Sequence, residues 1–266
     1  MDAIESSNVV TTKLLRSFAG RGSHIATVVT TWRPFLSELW AALSSEPDGA
    51  PLNCVWLRQV QPTVTWMRAF VRGRAGTITR EFNLDAYMNL GKQVELVTDA
   101  SPWGLGGYVT VNGQVKEFFQ SELDENDFTI FGHAKGDCRG QQAWEALAML
   151  VALRLWATTW LAGRVRLRVR GDSVAMLTAV MHMKAAAASS TTLVAREVAL
   201  DVAEAAYSPD VGSHLPGDAN ATADILSRRW DPSADDWRLP LALTGATEAA
   251  APRRNREYYR TLAPPV

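Results

Sequence analysis

Four acidic residues lie where a carboxylate needs a partner or is well placed for chemistry. They are Asp99, Glu145, Asp172 and Asp224. Asp99 and Asp172 each follow a run of residues with strand character. Glu145 lies inside the apolar segment QQAWEALAML, and Asp224 lies inside ATADIL. Because a carboxylate among Ala, Trp and Leu side chains is costly to bury alone, Glu145 needs a compensating group.

Divalent metal is one partner that would satisfy several such carboxylates together. Mg²⁺ prefers oxygen ligands and keeps some of its waters, which suits a cluster of Asp and Glu. Two ions about 3.5–4 Å apart can clamp the attacking and leaving oxygens of a phosphodiester displacement. Taken singly, each acid is also explained by a helix cap, a turn or a salt bridge, and for Asp172 or Asp224 alone that explanation is favoured. The four together, at element ends, favour a shared metal site.

Alternating strand and helix patterns from residue 92 onward must position these acids. Three strands are predicted at 94–98, 106–111 and 114–119. Asn112-Gly113 is predicted to form the hairpin turn between the last two. The segment 121–140 is predicted to be a loop, and its Asp124, Asp127, His133 and Asp137 are interpreted as solvated. A long helix is predicted over 141–161.

A strictly alternating strand follows at 164–170, with its apolar residues facing a core. Its outward side chains are those of Arg164, Arg166, Arg168 and Arg170. They could be phosphate ligands, but a face that is covered by a helix or solvated is the preferred interpretation. Two helices are then predicted near 173–184 and 190–206. A strand near 210–215 and a helix near 220–229 follow them. The order βββαβααβα therefore predicts an α/β domain over 91–229.

The flanking regions carry less information. Residues 1–90 predict a mainly helical segment, with two helices within 9–44 and a start or kink at Pro34. Aromatic residues are interleaved with arginines over 54–80, which suits either base stacking and phosphate binding or, preferably, a small helical module with a solvated face. The tail 230–266 is predicted to be a linker or disordered.

Composition restricts the class of protein. Of 266 residues, 47% are hydrophobic and 21% are charged, as in soluble globular proteins. Apolar runs are too short for a membrane span, so we do not expect the chain to associate with a membrane. Cys54 and Cys138 lie far apart without metal-ligand spacing, which favours a reducing compartment and predicts an intracellular location, in cytoplasm or nucleus. The net charge of −1 permits nucleic-acid binding without predicting it.

The four acidic motifs resemble those of the ribonuclease H domain of a retroelement reverse transcriptase, of gypsy-like or DIRS-like type. They are TDASPWGLGG with Asp99, QQAWEALA with Glu145, RGDS with Asp172 and HLPGDANATADILSR with Asp224. The resemblance covers about residues 92–229, and the last motif is its most specific part. Residues 9–90 resemble, more loosely, the thumb or connection region that precedes this domain in DIRS-like polyproteins.

The resemblance implies a ribonuclease H-like fold with a mixed five-stranded sheet flanked by helices. It implies hydrolysis of RNA paired to DNA, with two Mg²⁺ ions, or Mn²⁺ as a substitute, bound by Asp99, Glu145, Asp172 and Asp224. His214, ten residues before Asp224, matches the family's mobile histidine, which assists proton transfer or product departure. Substrate contacts are expected from Ser101, Gly104, Gly106 and Asn220, although the glycines also suit a tight turn, and Asn220 could instead order its loop.

Two other readings remain open. The domain could be a catalytically silent ribonuclease H-like module that binds nucleic acid or scaffolds a polymerase, or a related fold acting on DNA, such as an integrase or exonuclease. Acidic residues at all four positions favour the ribonuclease over the first, and the spacing of His214 and Asp224 disfavours the second. No Tyr-x-Asp-Asp sequence occurs in the chain, so the polymerase part of the same polyprotein is an expected partner.

Overall fold

The structure is a computed structural model, and it describes most of the chain. The described residues are 8–45, 49–76, 84, 88, 90–161, 165–185, 189–204 and 211–263. The chain divides into two compact units. The first comprises Met1–Glu81, Met183–Ala205 and Arg260–Val266, and the second comprises Phe82–His182 and Ala206–Tyr259.

Eight strands and nine helices are found among the described residues. The strands are β1 (Val9–Thr11), β2 (Cys54–Trp56), β3 (Lys92–Ala100), β4 (Gly104–Val111), β5 (Gln114–Glu122), β6 (Val165–Gly171), β7 (Val211–His214) and β8 (Thr247–Glu248). The helices are α1 (Thr12–Ile25), α2 (Arg33–Ser44), α3 (Leu57–Val71), α4 (Glu125–Phe131), α5 (Gln141–Leu155), α6 (Ala157–Leu161), α7 (Val174–His182), α8 (Thr192–Ala203) and α9 (Ala221–Ser227).

The first unit is mainly helical, as predicted, and α2 begins with Pro34 in its first turn. Its core includes Trp66 and Phe70 of α3, whose rings lie 6.1 Å and 5.4 Å from the ring of Phe35. These two aromatic residues are therefore structural and are not available to stack on bases. The unit also contains an antiparallel pair of short strands, β1 and β2, which the sequence did not indicate.

The domain boundary differs from the prediction. Helix α8 belongs to the first unit and not to the sheet-containing unit, and its Ala199, Leu200 and Ala203 lie in the core of that first unit. The apolar pattern of α8 predicted a buried helix correctly. The pattern could not indicate which of the two hydrophobic cores the helix joins, because an apolar helix face can pack against either core.

The second unit is built on a mixed sheet, which confirms the α/β class. The strand order is β7-β6-β3-β4-β5-β8. Strands β3, β4 and β5 are antiparallel neighbours, whereas β6 and β7 run parallel to β3. The predicted hairpin turn is confirmed, because Asn112 and Gly113 have φ angles of 51° and 80°. The sheet has six strands instead of five, since β8 pairs with β5.

Helices lie on both faces of this sheet. Helix α5 is almost entirely buried, and it packs against β3, β4 and α7. Helix α9 packs on β4, where a Cβ atom at Gly106 would lie 2.6 Å from the backbone nitrogen of Ser227. Glycine is therefore required at position 106 for α9 to approach the sheet. The predicted helix over 141–161 is interrupted at Trp156, between α5 and α6.

The predicted loop over 121–140 is wrong, because it contains α4. Asp124 caps this helix and accepts from the backbone of Asp127, whose side chain accepts in return from the backbone of Asp124. Asp127 is completely buried and is not a solvated loop residue. Asp137 caps the turn Cys138–Gly140, and the ring of His133 lies 5.8 Å from that of Trp144.

The prediction of a linker or disordered tail is wrong for its described part, 230–263. Arg254 is buried and donates from Nε and from its terminal nitrogen to both oxygens of Asp127, at 3.0 and 2.8 Å. It also donates to Ser121 Oγ and to the carbonyl oxygen of Glu122. Leu243 and Tyr259 are buried as well. Short turns and long-range side-chain contacts hold the tail in place. Such contacts need no helical periodicity, so the sequence of the tail shows none.

Two further outcomes concern single residues and helix length. Arg164 and Asp210, which were assigned to predicted strands, lie outside the described residues. Within the described part of the chain, every helix is too short or too polar to cross a membrane.

Candidate functional site: a carboxylate cluster at the strand ends

Three parallel strands end at the same edge of the sheet and bring their terminal polar residues together. In β3 and β6, Val97 is opposite Arg170, so Asp99 and Asp172 each follow the last paired position by two residues. In β6 and β7, Gly171 is opposite His214. The carboxyl ends of parallel strands are the usual place for a ligand site in α/β proteins.

Helix α5 supplies the third acid. Gln141, in its first turn, donates from Nε2 to the carbonyl oxygen of Ala100 at 2.6 Å, which ties the helix to the end of β3. The same amide nitrogen donates to Glu145 Oε1 at 3.0 Å. Gln141 therefore anchors the helix and orients the carboxylate of Glu145 one turn later.

Helix α9 supplies the fourth acid, and together with Asn220, the residue that precedes it, it supplies two groups that hold Asp99. Ser227 Oγ donates to Asp99 Oδ2 at 2.9 Å, and Asn220 Nδ2 donates to Asp99 Oδ1 at 3.2 Å. Asn220 is buried and also donates to the carbonyl oxygen of Thr98. Asp224 lies between these two residues in the sequence and is half-exposed. Asn220 thus orders its surroundings, one of the two roles expected for it.

The carboxylate of Asp99 is close enough to the other three acids for their negative charges to act on it. Burial raises the pKa of Asp99 from 3.8 to about 7. The hydrogen bond from Ser227 acts in the opposite direction, whereas the negative charges of Asp172, Asp224 and Glu145 raise the pKa further. The pKa of Glu145 is also raised, first by burial and then, against the hydrogen bond from Gln141, by Asp172.

Asp172, one of the four acids, carries an oxygen atom without a hydrogen-bond donor. Its Oδ1 is buried and accepts no hydrogen bond from the described residues. A buried carboxylate oxygen without a donor is costly, and a cation would relieve that cost. Asp224 differs, because Arg228 Nε donates to its Oδ1 at 2.6 Å across one helical turn.

His214 is exposed at the end of β7, beside this cluster. Its Nε2 lies 3.0 Å from the backbone carbonyl oxygen of Asp172. Because a carbonyl oxygen only accepts, Nε2 carries the hydrogen, and Nδ1 is the acceptor in the neutral ring. The structure therefore places all four predicted acids and His214 at one edge of the sheet.

Three of the predicted substrate contacts have a packing role instead. Ser101 is buried, donates to the carbonyl oxygen of Ser227 at 2.8 Å and accepts from the backbone of Gly104 at 3.1 Å. A Cβ at Gly104 would lie 2.6 Å from the indole of Trp230, and Gly106 lies under α9. These residues are buried in β4 and its preceding turn, so they fix α9 and do not expose amides to a ligand.

Three residues of the site were not singled out from the sequence: Gln141, Ser227 and Arg228. Two of the three had a signal in the sequence, since Gln141 and Arg228 each stand four residues from an acid on a helix. Ser227 gave no signal of this kind, because its partner, Asp99, is 128 residues away in the sequence.

Neither geometry nor similarity assigns the site directly. Among the residues that the structure describes, no group of three or more His, Cys, Asp or Glu side chains is arranged to hold a metal ion. Comparison with protein-family models, with curated proteins and with solved structures finds no match.

Proposed function

We propose that the chain is an endoribonuclease that hydrolyses the RNA strand of RNA/DNA hybrids with the help of divalent metal. The observation that carries the proposal is the convergence of four acids, Asp99, Glu145, Asp172 and Asp224, from four separate elements. The negative charges of the other three raise the pKa of Asp99, and that of Asp172 raises the pKa of Glu145. Such convergence is costly for a purely structural cluster, because like charges in a buried site destabilise the fold.

The donor set suits Mg²⁺, with Mn²⁺ as an alternative. All four groups offer oxygen, and Asp172 Oδ1 is buried without a donor among the described residues. Asp99, Glu145, Asp172 and Asp224 would hold the metal, with Asp224 exchanging its contact to Arg228 for the cation. When bound, two such ions would activate water and neutralise charge that develops on the phosphate.

The chain's own residues would position and move protons. Ser227 and Asn220 hold the carboxylate of Asp99 in one orientation through both of its oxygens. Gln141 does the same for Glu145. His214, exposed and held through Nε2, presents Nδ1 to accept a proton or to pass one to the departing product.

The element order of the second unit, together with the motif resemblance, supports a ribonuclease H-like fold within a retroelement reverse transcriptase. The polymerase part of that polyprotein would be the natural partner. A silent nucleic-acid-binding module is the second candidate. It is supported by the salt bridge of Arg228 to Asp224, which occupies one of the four acids.

The test is cleavage of a labelled RNA/DNA hybrid by the purified chain in Mg²⁺, beside the Asp172→Asn variant. Single-stranded RNA and duplex DNA serve as substrate controls. We expect cleavage of the RNA strand of the hybrid only, leaving 3′-hydroxyl and 5′-phosphate ends, and a loss of at least 10²-fold in the variant, about the scale of other lost electrostatic contacts in catalysis.

Hybrid binding without cleavage by the folded wild-type chain would contradict the ribonuclease and favour the silent module. Cleavage of duplex DNA would instead favour a related nuclease or integrase. Equal rates for the wild type and the Asp172→Asn variant would show that the cluster is not the active site.

A further inference from the structure

The arginines of β6 form a row on one face of the sheet that leads towards Asp172. Side chains at every second position of a strand share a face, so Arg166, Arg168 and Arg170 lie on the face that Asp172 continues. Successive members of the row are about 6.6 Å apart along the strand. The alternate residues Leu167 and Val169 are buried on the opposite face.

A strand that is covered by helices on both faces would be apolar throughout. β6 is instead apolar on one face and cationic on the other. The side chain of Arg168 is 43% exposed and that of Arg170 is 31% exposed. Arg168 and Arg170 are therefore accessible in part, which agrees with the solvated face that was one of the alternatives favoured from the sequence.

Among the described residues, Arg168 and Arg170 share a single ion-pair partner. Arg168 and Arg170 both approach Glu95 Oε1 of β3, at 3.8 and 3.2 Å. Over the described residues of β3, β6 and β7, Glu95 is the one acid on this face before the cluster of Asp99 and Asp172. Two guanidinium groups thus share one carboxylate. Nε of Arg170 is buried, and the nitrogens of the two groups that remain exposed can bind an anion.

We propose that this row binds the phosphates of one nucleic-acid strand whose cleavage site lies at the carboxylate cluster. The inference rests on the proposed function, because it assigns the hybrid a path across the protein. Guanidinium groups match phosphate oxygens in charge and in fork geometry. The negatively charged cluster repels a phosphate backbone, and an adjacent row of arginines offsets that repulsion.

Binding of a fluorescently labelled RNA/DNA hybrid, measured by anisotropy across a salt series, tests this inference. A chelator prevents cleavage, so that binding is separated from catalysis. The variants of the full chain are Arg168→Gln, the double variant Arg168→Gln/Arg170→Gln, the charge-preserving Arg168→Lys and Glu95→Gln. Lys116→Gln is the matched control, because Lys116 is an exposed cation near the hairpin at the other end of the sheet.

We expect the slope of log affinity against log salt to become shallower by about 1 for Arg168→Gln and about 2 for the double variant. Arg168→Lys and Lys116→Gln should keep the wild-type slope. Glu95→Gln should bind the hybrid more tightly than the wild type, since it frees two guanidinium groups. A merely structural role for the row predicts no such gain.

A wild-type slope in the folded double variant would overturn the inference, and so would weaker binding at unchanged slope. Binding of the wild type that does not depend on salt would overturn it as well. Failure of the proposed function is distinguishable, because it appears as absence of hybrid cleavage by the wild type in Mg²⁺. The reduced slopes would then still establish a nucleic-acid-binding row.

Discussion

The carboxyl group of Asp99 illustrates how single residues adapt to this site. It is 6% exposed, receives hydrogen bonds from Ser227 and Asn220, and nonetheless has a pKa raised to about 7. Burial and three neighbouring negative charges outweigh the two donors. Without a cation, the folded chain therefore keeps a proton on Asp99 that the unfolded chain releases near pH 3.8.

The sign of this linkage gives a prediction for Asp99→Asn. Between pH 4 and pH 7 the folded state binds more protons than the unfolded state, so this group's contribution to stability is lost as pH rises. We expect the stability of the metal-free variant relative to the wild type to rise through this window, to a gain on the order of 4 kcal/mol at pH 8. Its amide can donate to Ser227 Oγ, whose hydroxyl also donates to the carbonyl oxygen of Asp224.

Urea denaturation in the presence of a chelator, repeated from pH 4 to pH 8, measures this difference. Hybrid cleavage by the same variant should be lost. A stability difference that does not change with pH would show that Asp99 is not perturbed in the folded state. The pH series serves as its own control, since the variant lacks the titrating group.

Packing of α9 on β4 is the contact between elements on which the site depends most. A Cβ at position 106 would lie 2.6 Å from the backbone nitrogen of Ser227 and 2.8 Å from the carbonyl oxygen of Ala223. These are backbone atoms that cannot rotate away. Gly106→Ala should therefore displace α9 and move Asp224 and Ser227 away from Asp99.

We expect Gly106→Ala to lower the free energy of unfolding by about 1–3 kcal/mol and to weaken metal binding and cleavage together. Gly20→Ala is the matched control, because a Cβ there meets nothing within 4 Å and α1 would gain helix propensity. Urea denaturation and Mn²⁺ titration of both variants measure the effects. A Gly106→Ala variant with normal metal binding and a raised KM for hybrid would instead favour direct substrate contact.

The tail and α4 are joined by the buried pair of Arg254 and Asp127. Arg254 is 3% exposed and Asp127 is not exposed at all. Removing one partner leaves the other charge buried without compensation, which typically costs 3–5 kcal/mol. We expect Arg254→Met to destabilise the chain by about this amount, as measured by urea denaturation.

A double variant, Arg254→Met with Asp127→Leu, provides the control for this pair. It should be more stable than Arg254→Met alone, because no isolated charge remains. Strictly additive losses would show that the two side chains do not compensate each other.

Across the whole chain, the sequence predicted most elements that have strong periodicity. The three-stranded meander, the Asn112-Gly113 hairpin, α5 and β6 all follow from local pattern, and so does the position of the acids at element ends. The four acids could be grouped from sequence because they occur together in this order of elements, although Asp172 or Asp224 alone is explained as well by a cap, a turn or a salt bridge.

The remaining features depend on contacts between residues far apart in the sequence. The capping box of Asp124 and Asp127 was readable, but the burial of Asp127 depends on Arg254, 127 residues later. The two-residue strand β8 has no period to detect. No local sequence pattern indicates that α8 belongs to the first unit. The hydrogen bond from Ser227 to Asp99 likewise has no local signal. The sequence therefore predicted which residues are chemically unusual better than it predicted their supporting contacts.

Binding of Mn²⁺ to the purified chain tests most directly whether the four acids form a divalent-cation site. The electron paramagnetic resonance signal of the free ion measures it, with Asp172→Asn as the paired variant. We expect the wild type to reduce the free-ion signal at pH 8 and less so at pH 6, where Asp99 holds its proton. The variant should leave most of the signal. Equal free-ion signals for the two chains at pH 8 would contradict the metal site.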